Sequence, residues 1–105
     1  MSRAFASIPI PDRPPKPRAR SLTVMIDWGL ELRAVEDLME EAHEFTDLAK
    51  VAVGISGLVS HDFLTRKVAA YQAYAVDPFP GGMFLEYAFH HRKATEYLAE
   101  CVNPR

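Results

Sequence analysis

The stretch LTVMIDWGLELRAVEDLMEEAHEF, residues 22–45, decides the fold class. Its first six residues, Leu22 to Asp27, are apolar or β-branched until the final carboxylate. Such a run reads as a strand covered on both faces, as in a parallel sheet. The period then changes. From about Glu31 to Phe45, Leu32, Val35, Leu38, Met39 and Ala42 recur at spacings of three and four, with Arg33, Glu36, Asp37, Glu40, Glu41 and Glu44 elsewhere. That spacing predicts an amphipathic helix, so the stretch is one βα unit.

The unit recurs twice. Asp47 to Val53 predicts a second strand broken by Gly54, and Ser60 caps a helix to about Tyr74 whose stripe is Leu64, Val68, Tyr71 and Ala75. Val76 to Phe79 predicts a short third strand in which Pro78 removes a ladder donor. Gly81 and Gly82 make a turn, and one last helix is expected from about Met83 to Val102, with Leu85, Phe89, Ala94, Leu98 and Cys101 inward and Asn103 and Pro104 stopping it. Alternating βαβαβα with short connections predicts α/β architecture with a parallel sheet and right-handed crossovers. Each unit takes about 28 residues, so the eight of a (β/α)₈ barrel would need roughly 220 to 250. This chain has three such units, a partial barrel whose uncovered sheet face invites a partner.

The bulk composition fits one globular domain: 105 residues, 49% hydrophobic, 25% charged, net charge −2. No apolar run approaches a bilayer span, and Arg3 followed by prolines replaces a secretory signal, so a cytoplasmic protein with no membrane partner is expected. Cys101 is the sole cysteine, which excludes an intrachain disulfide and clustered-thiol zinc. Arg3, Arg13, Lys16, Arg18 and Arg20 stand against Asp12 in the first twenty residues, leaving an acidic body that does not resemble a nucleic-acid binder. With Pro9, Pro11, Pro14, Pro15 and Pro17 in the same segment, residues 1–14 are expected to be a disordered or extended tail, and 15–105 the folded units.

Three charged residues stand near strand ends. Asp27 ends the first strand, where barrels place catalytic groups; it is either a functional carboxylate, pointing inward with Thr23 and Met25, or a cap on the following helix. Lys50 interrupts an apolar strand and by alternation shares a face with Ala52 and Gly54; it either borders an anion pocket or pairs with an acid at the barrel bottom. Glu86 lies one turn after Gly81 and Gly82, where it complements the helix dipole or meets a ligand held by free backbone donors. Ser56 follows the second strand as a hydroxyl donor or an ordinary loop serine. Adjacent His90 and His91 point about 100° apart on a helix and do not share an ion.

From Lys16 onward the chain resembles the N-terminal part of the phosphosulfolactate synthase family. The resemblance is carried by Lys16, Pro17, Arg18; Leu22, Thr23; Asp27, Gly29, Leu30; Asp47, Lys50; Gly54, Ser56; Leu64, Lys67; and Pro80, Gly81, Gly82, Leu85, Glu86. It implies a Mg²⁺-dependent lyase of coenzyme M biosynthesis that adds sulfite to the methylene carbon of phosphoenolpyruvate. It further implies Lys50 and Asp27 as catalytic groups, Ser56, Gly81 and Gly82 as substrate-binding groups, and Asp27 and Glu86 as metal ligands. Trp28, Ile55 and Met83 stand where the family usually has a lysine and two threonines, and Ala52 where it has glycine. Two alternatives stay open. One is a diverged, non-catalytic α/β scaffold or stress-associated protein whose open sheet edge pairs with itself or another chain; the other is a truncated reading frame with no stable activity, and a homo-oligomer or the missing barrel half is the expected protein partner.

Overall fold

Asp27, Val51 and Pro80 lie side by side at the C-terminal ends of three parallel strands. The computed structural model describes residues 2–102. Its strands are β1 (Val24–Asp27), β2 (Leu48–Val51) and β3 (Asp77–Pro80), in the order β1-β2-β3. The helices are α1 (Leu32–Ala42), α2 (His61–Gln72), α3 (Gly82–His90) and α4 (Ala94–Val102). A 3₁₀ turn at His43–Phe45 follows α1, and another at Ile55–Gly57 follows β2. This is the α/β arrangement of partial (β/α)₈ barrel units. No helix among the described residues is long and apolar enough to cross a membrane.

Strand alternation separates two faces. Met25, Ala49 and Val51 turn toward the helices, where Val35, Met39, Ala49, Tyr71 and Val76 form the buried core and Met25, Leu30, Ala70 and Tyr74 pack around it. The opposite face bears two rows set by the register: Val24, Leu48 and Asp77, then Ile26, Lys50 and Phe79. Val24, Ile26 and Phe79 are exposed there, as expected for helices confined to one side. The ladder has a direction. Asp77 N–H donates to Asp47 O at 3.2 Å and Gly81 N–H to Val51 O at 2.9 Å, so the intervening positions, Pro78 and Pro80, present their backbone to the outer edge of β3.

Helix boundaries follow local chemistry. Ser60 Oγ accepts from Phe63 N–H at 3.0 Å, as its N-cap position predicts. The single last helix does not form: Arg92 enters the left-handed region at φ 58, Arg92 N–H donates to Phe89 O and Lys93 N–H to Ala88 O. That pair of bonds is a Schellman stop, with arginine in the place glycine usually takes. The inward stripe consequently shifts to Ala88 and half-buried Phe84 and Tyr97, while Leu85, Phe89, Leu98 and Cys101 are exposed. Tyr97 packs edge-on against Phe84 at 5.3 Å. Asn103 and Pro104, expected to stop the helix, lie outside the described residues.

The segment before β1 divides in two. Residues 2–12 are exposed, and among the described residues the Arg3 guanidinium bonds to the nearby carbonyls of Ala4, Ala6 and Ile8. Beyond them the basic residues dock under the N-terminal ends of the strands. Lys16 Nζ donates to the carbonyls of His43, Thr46 and Tyr74 at 2.8 to 2.9 Å. Arg18 meets Asp47 Oδ1 at 2.8 Å, and Asp47 Oδ2 accepts from Thr23 N–H at the same distance. These side chains close the end of the sheet opposite the candidate site.

Candidate functional site at the C-terminal strand ends

The three loops that leave the sheet are in contact. Ala52 N–H donates to Asp27 O at 2.9 Å, and a Cβ on Gly29 would lie 3.9 Å from Ile55 Cδ1. A Cβ on Gly81 would come within 3.1 Å of Val53 N, so glycine lets the third loop close on the second. Val53 itself sits at φ 45. A β-branched residue there costs on the order of 1–3 kcal/mol, strain that tends to accumulate where geometry serves a ligand.

Asp27 does not point into the barrel. It is fully buried on the helical face with Met25, and its oxygens are taken: Oδ1 accepts Gly29 N–H at 2.8 Å and Leu30 N–H at 2.7 Å, Oδ2 accepts Tyr71 OH at 2.7 Å and Lys67 Nζ at 2.9 Å. Burial by itself would raise its pKa, but the hydrogen bonds from Lys67, the Leu30 amide, Tyr71 and the Gly29 amide outweigh it and hold the carboxyl below the ordinary range. Tyr71 responds oppositely. Burial and the Asp27 charge push its phenol well above the usual value. Asp27 thus ties the loop after β1 to α2 through the Gly29 and Leu30 amides and a buried ion pair; it does not cap the following helix, whose N-cap is Glu31 with no side-chain cap bond. Lys67 belongs to the sequence resemblance, and its position one turn before Tyr71, beside the apolar stripe, was the available signal for this cluster.

Lys50 lies on the other face, between Ile26 and Phe79, half-buried and without a hydrogen bond or ion pair to any described residue. Asp27, Lys50 and Glu86, all near strand ends in the sequence, therefore do not converge on one site, because strand alternation sends Asp27 and Lys50 to opposite sides of the sheet. Glu86 is exposed on α3. Gly81 is buried and is the N-cap of α3, whose first turn receives no side-chain cap, and Gly82 is open to solvent with nothing near its missing Cβ. Ser56 is half-buried and lines a groove of about 580 Å³ on the helical side, bordered also by Leu64, Val68, Phe84 and Tyr97. It is placed away from Lys50's face.

These positions do not fit a Mg²⁺ ion shared by Asp27 and Glu86. Magnesium requires carboxylate oxygens free to enter an octahedron, whereas both Asp27 oxygens are engaged and Glu86 stands on an exposed helix surface. No cluster of three His, Cys, Asp or Glu suited to a metal occurs among the described residues. No chemical step is assigned to a metal held by this pair.

Known proteins share this pattern. The family model for (2R)-phospho-3-sulfolactate synthase (ComA) matches residues 11–103. A phosphosulfolactate synthase of Methanocaldococcus jannaschii is 34% identical over 82 residues, 78% of this chain and 33% of the relative. That of Methanothermobacter thermautotrophicus is 34% identical over 90 residues, 86% of this chain and 35% of the relative. A Bacillus subtilis phosphosulfolactate synthase is 28% identical over 96 residues, 91% of this chain and 37% of the relative. The chain spans about a third of the length of these curated relatives. The family match over nearly the whole chain, on a parallel sheet with helices along one side, places it in the (2R)-phospho-3-sulfolactate synthase family.

Proposed function

We propose that these three βα units are the N-terminal part of a barrel that adds sulfite to phosphoenolpyruvate, with Lys50 as its anion-holding cation. The observation that carries this is the position of Lys50: a half-buried lysine near the C-terminal end of β2, on the side that a closed barrel would enclose, with no partner among the described residues. Enclosed by the remaining strands of a barrel, that charge would be costly unless an anion met it. In the reaction the sulfur lone pair forms a C–S bond to the methylene carbon, the π electrons move toward the carboxylate, and a proton reaches the neighbouring carbon. Lys50 pairs with an acid group of the substrate and lies on the face from which that proton is delivered. Gly81 and Gly82 keep the third loop low enough for a ligand oxygen to approach the first amides of α3. Any Mg²⁺ that the complete barrel uses is held by carboxylates outside the Asp27–Glu86 pair.

Partners under this proposal are small anions, in a cytoplasmic protein. A second reading, a non-catalytic scaffold that self-associates or joins a separate barrel half, draws support from the exposed Val24, Ile26 and Phe79. The test is a chimera in which residues 11–102 replace the matching third of the M. jannaschii relative, assayed by ³¹P NMR with phosphoenolpyruvate and sulfite. Turnover that falls at least a hundredfold on Lys50→Ala is expected. A folded but inactive chimera, or full activity in the Lys50→Ala form, refutes the assignment.

A further inference from the structure

The first strand of the sheet leaves one of its borders unprotected. Thr23 O accepts from Asp47 and Leu48 N–H, and Asp27 O accepts from Ala52 N–H, so the odd positions of β1 direct their backbone to β2. Val24 and Ile26 lie between them and direct an N–H and a C=O each to the outer border, where their side chains are 46% and 47% exposed. Free edges are ordinarily guarded by lysine or proline, and neither occurs from Leu22 to Asp27. The far border of β3 does have such a guard in Pro78 and Pro80.

We propose that the outer border of β1 is a contact surface for a second copy of this chain, the two β1 strands pairing antiparallel about a two-fold axis at Met25. The groups on offer fix that register. With Val24 opposite Ile26 of the second copy, each residue exchanges its N–H and its C=O with the other, and the axis repeats the exchange on its far side. An axis at Val24 or Ile26 would instead pair one of the two with residues beyond β1. Met25 then faces its own counterpart, and Val24 lies beside Ile26 of the second copy on the open face, a β-branched cross-strand pair. Such an edge is complementary to itself, as a two-fold contact requires. The β3 edge is not, so pairing through edges stops at two chains. The inference stands apart from sulfite addition: in a closed barrel the same border takes the last strand, parallel to β1, and the barrel and the pair exclude one another.

Sedimentation equilibrium of the 105-residue chain is expected to show a reversible dimer. Ile26→Pro transfers to β1 the device that guards β3: it removes an outward N–H, leaves the bonds to β2 in place, and should weaken the dimer at least tenfold. Phe79→Lys alters the open face without touching this edge and should leave the dimer unchanged. Strand direction is read with single cysteines in a Cys101→Ser background, oxidised by glutathione disulfide. Met25→Cys, at the axis, should link two chains, whereas Ile26→Cys, two residues along the ladder from its counterpart, should not. Amide spectra verify the fold of each variant, and if either the proline or the cysteine variant fails to fold, the other decides. A monomer up to millimolar concentration, a dimer indifferent to Ile26→Pro, a dimer lost in Phe79→Lys, or linkage at Ile26→Cys equal to that at Met25→Cys would each overturn the proposal. An inactive chimera beside an intact β1 dimer would refute the sulfite reaction alone.

Discussion

Replacing Asp27 by asparagine separates the charge of this side chain from its shape. The asparagine carbonyl still accepts from the Gly29 and Leu30 amides, but its NH₂ now faces Lys67 Nζ and Tyr71 OH, donors 2.9 and 2.7 Å from the lost oxygen. Lys67 has about 2% of its side chain exposed, so its ammonium is left buried without a counter-charge, the Phe63 ring 5.4 Å away being its remaining attraction. Breaking a buried pair from one side costs about 3–5 kcal/mol, a large share of the ~5–15 kcal/mol that holds a domain together. At about 4–8 °C per kcal/mol for a domain of this size, Asp27→Asn should lower Tm by about 12 °C or more at pH 7. The pH dependence has a definite sign. A carboxyl whose folded pKa lies below its unfolded value of about 3.9 stabilises the fold above that pH and loses the contribution as pH falls through the folded pKa. The gap between wild type and Asp27→Asn, measured by urea unfolding, should therefore be widest above about pH 5 and narrow steadily below pH 4. A loss under about 1 kcal/mol at pH 7, or a gap independent of pH, would show that the Asp27 charge is not what holds the loop after β1 to α2.

Other substitutions separate the remaining structural roles. Lys16→Met removes the donor shared by three carbonyls and should lower the urea midpoint by the equivalent of about 1–3 kcal/mol at unchanged m, whereas deleting residues 2–11 should change stability by less than about 0.5 kcal/mol. Val53→Gly relieves a left-handed β-branched residue and should leave stability unchanged or raise it by about 1 kcal/mol, read by thermal unfolding; a loss above about 2 kcal/mol would mean that the valine side chain outweighs its strain. Light scattering of the isolated chain should detect association through the open face, reduced by Ile26→Lys; a monomer at micromolar concentration refutes that expectation.

Periodicity made most of the fold legible. The three-and-four spacing of α1, the cap at Ser60 and the apolar run before Asp27 each follow from local rules that the packed chain obeys. The break between α3 and α4 was hidden because Arg92 occupies a conformation that glycine would have advertised. At the site, alternation sets Lys50 in one row with Ile26 and Phe79, on the face opposite Asp27. It could not orient Asp27, because an unbroken apolar strand has no polar side to distinguish core from cavity. The partner that settles the direction, Lys67, is 40 residues away, and only the packing of α2 across β1 brings the two together. Ser56, within the 3₁₀ turn after β2, borders the groove on the helical side, a direction that its place in a loop left unstated.

The two prolines of β3 bear on how the sheet is completed. Their backbone faces outward, yet neither has an N–H, so over this strand the outer edge offers carbonyls alone. A neighbouring strand laid against it must donate every hydrogen bond in the shared ladder and finds no donor for its own carbonyls there. The opposite border, where Val24 and Ile26 present both groups, is fully bilingual. Stray chains in search of an edge therefore meet one that answers and one that only listens, and growth of the sheet has a preferred direction even before any side chain is consulted.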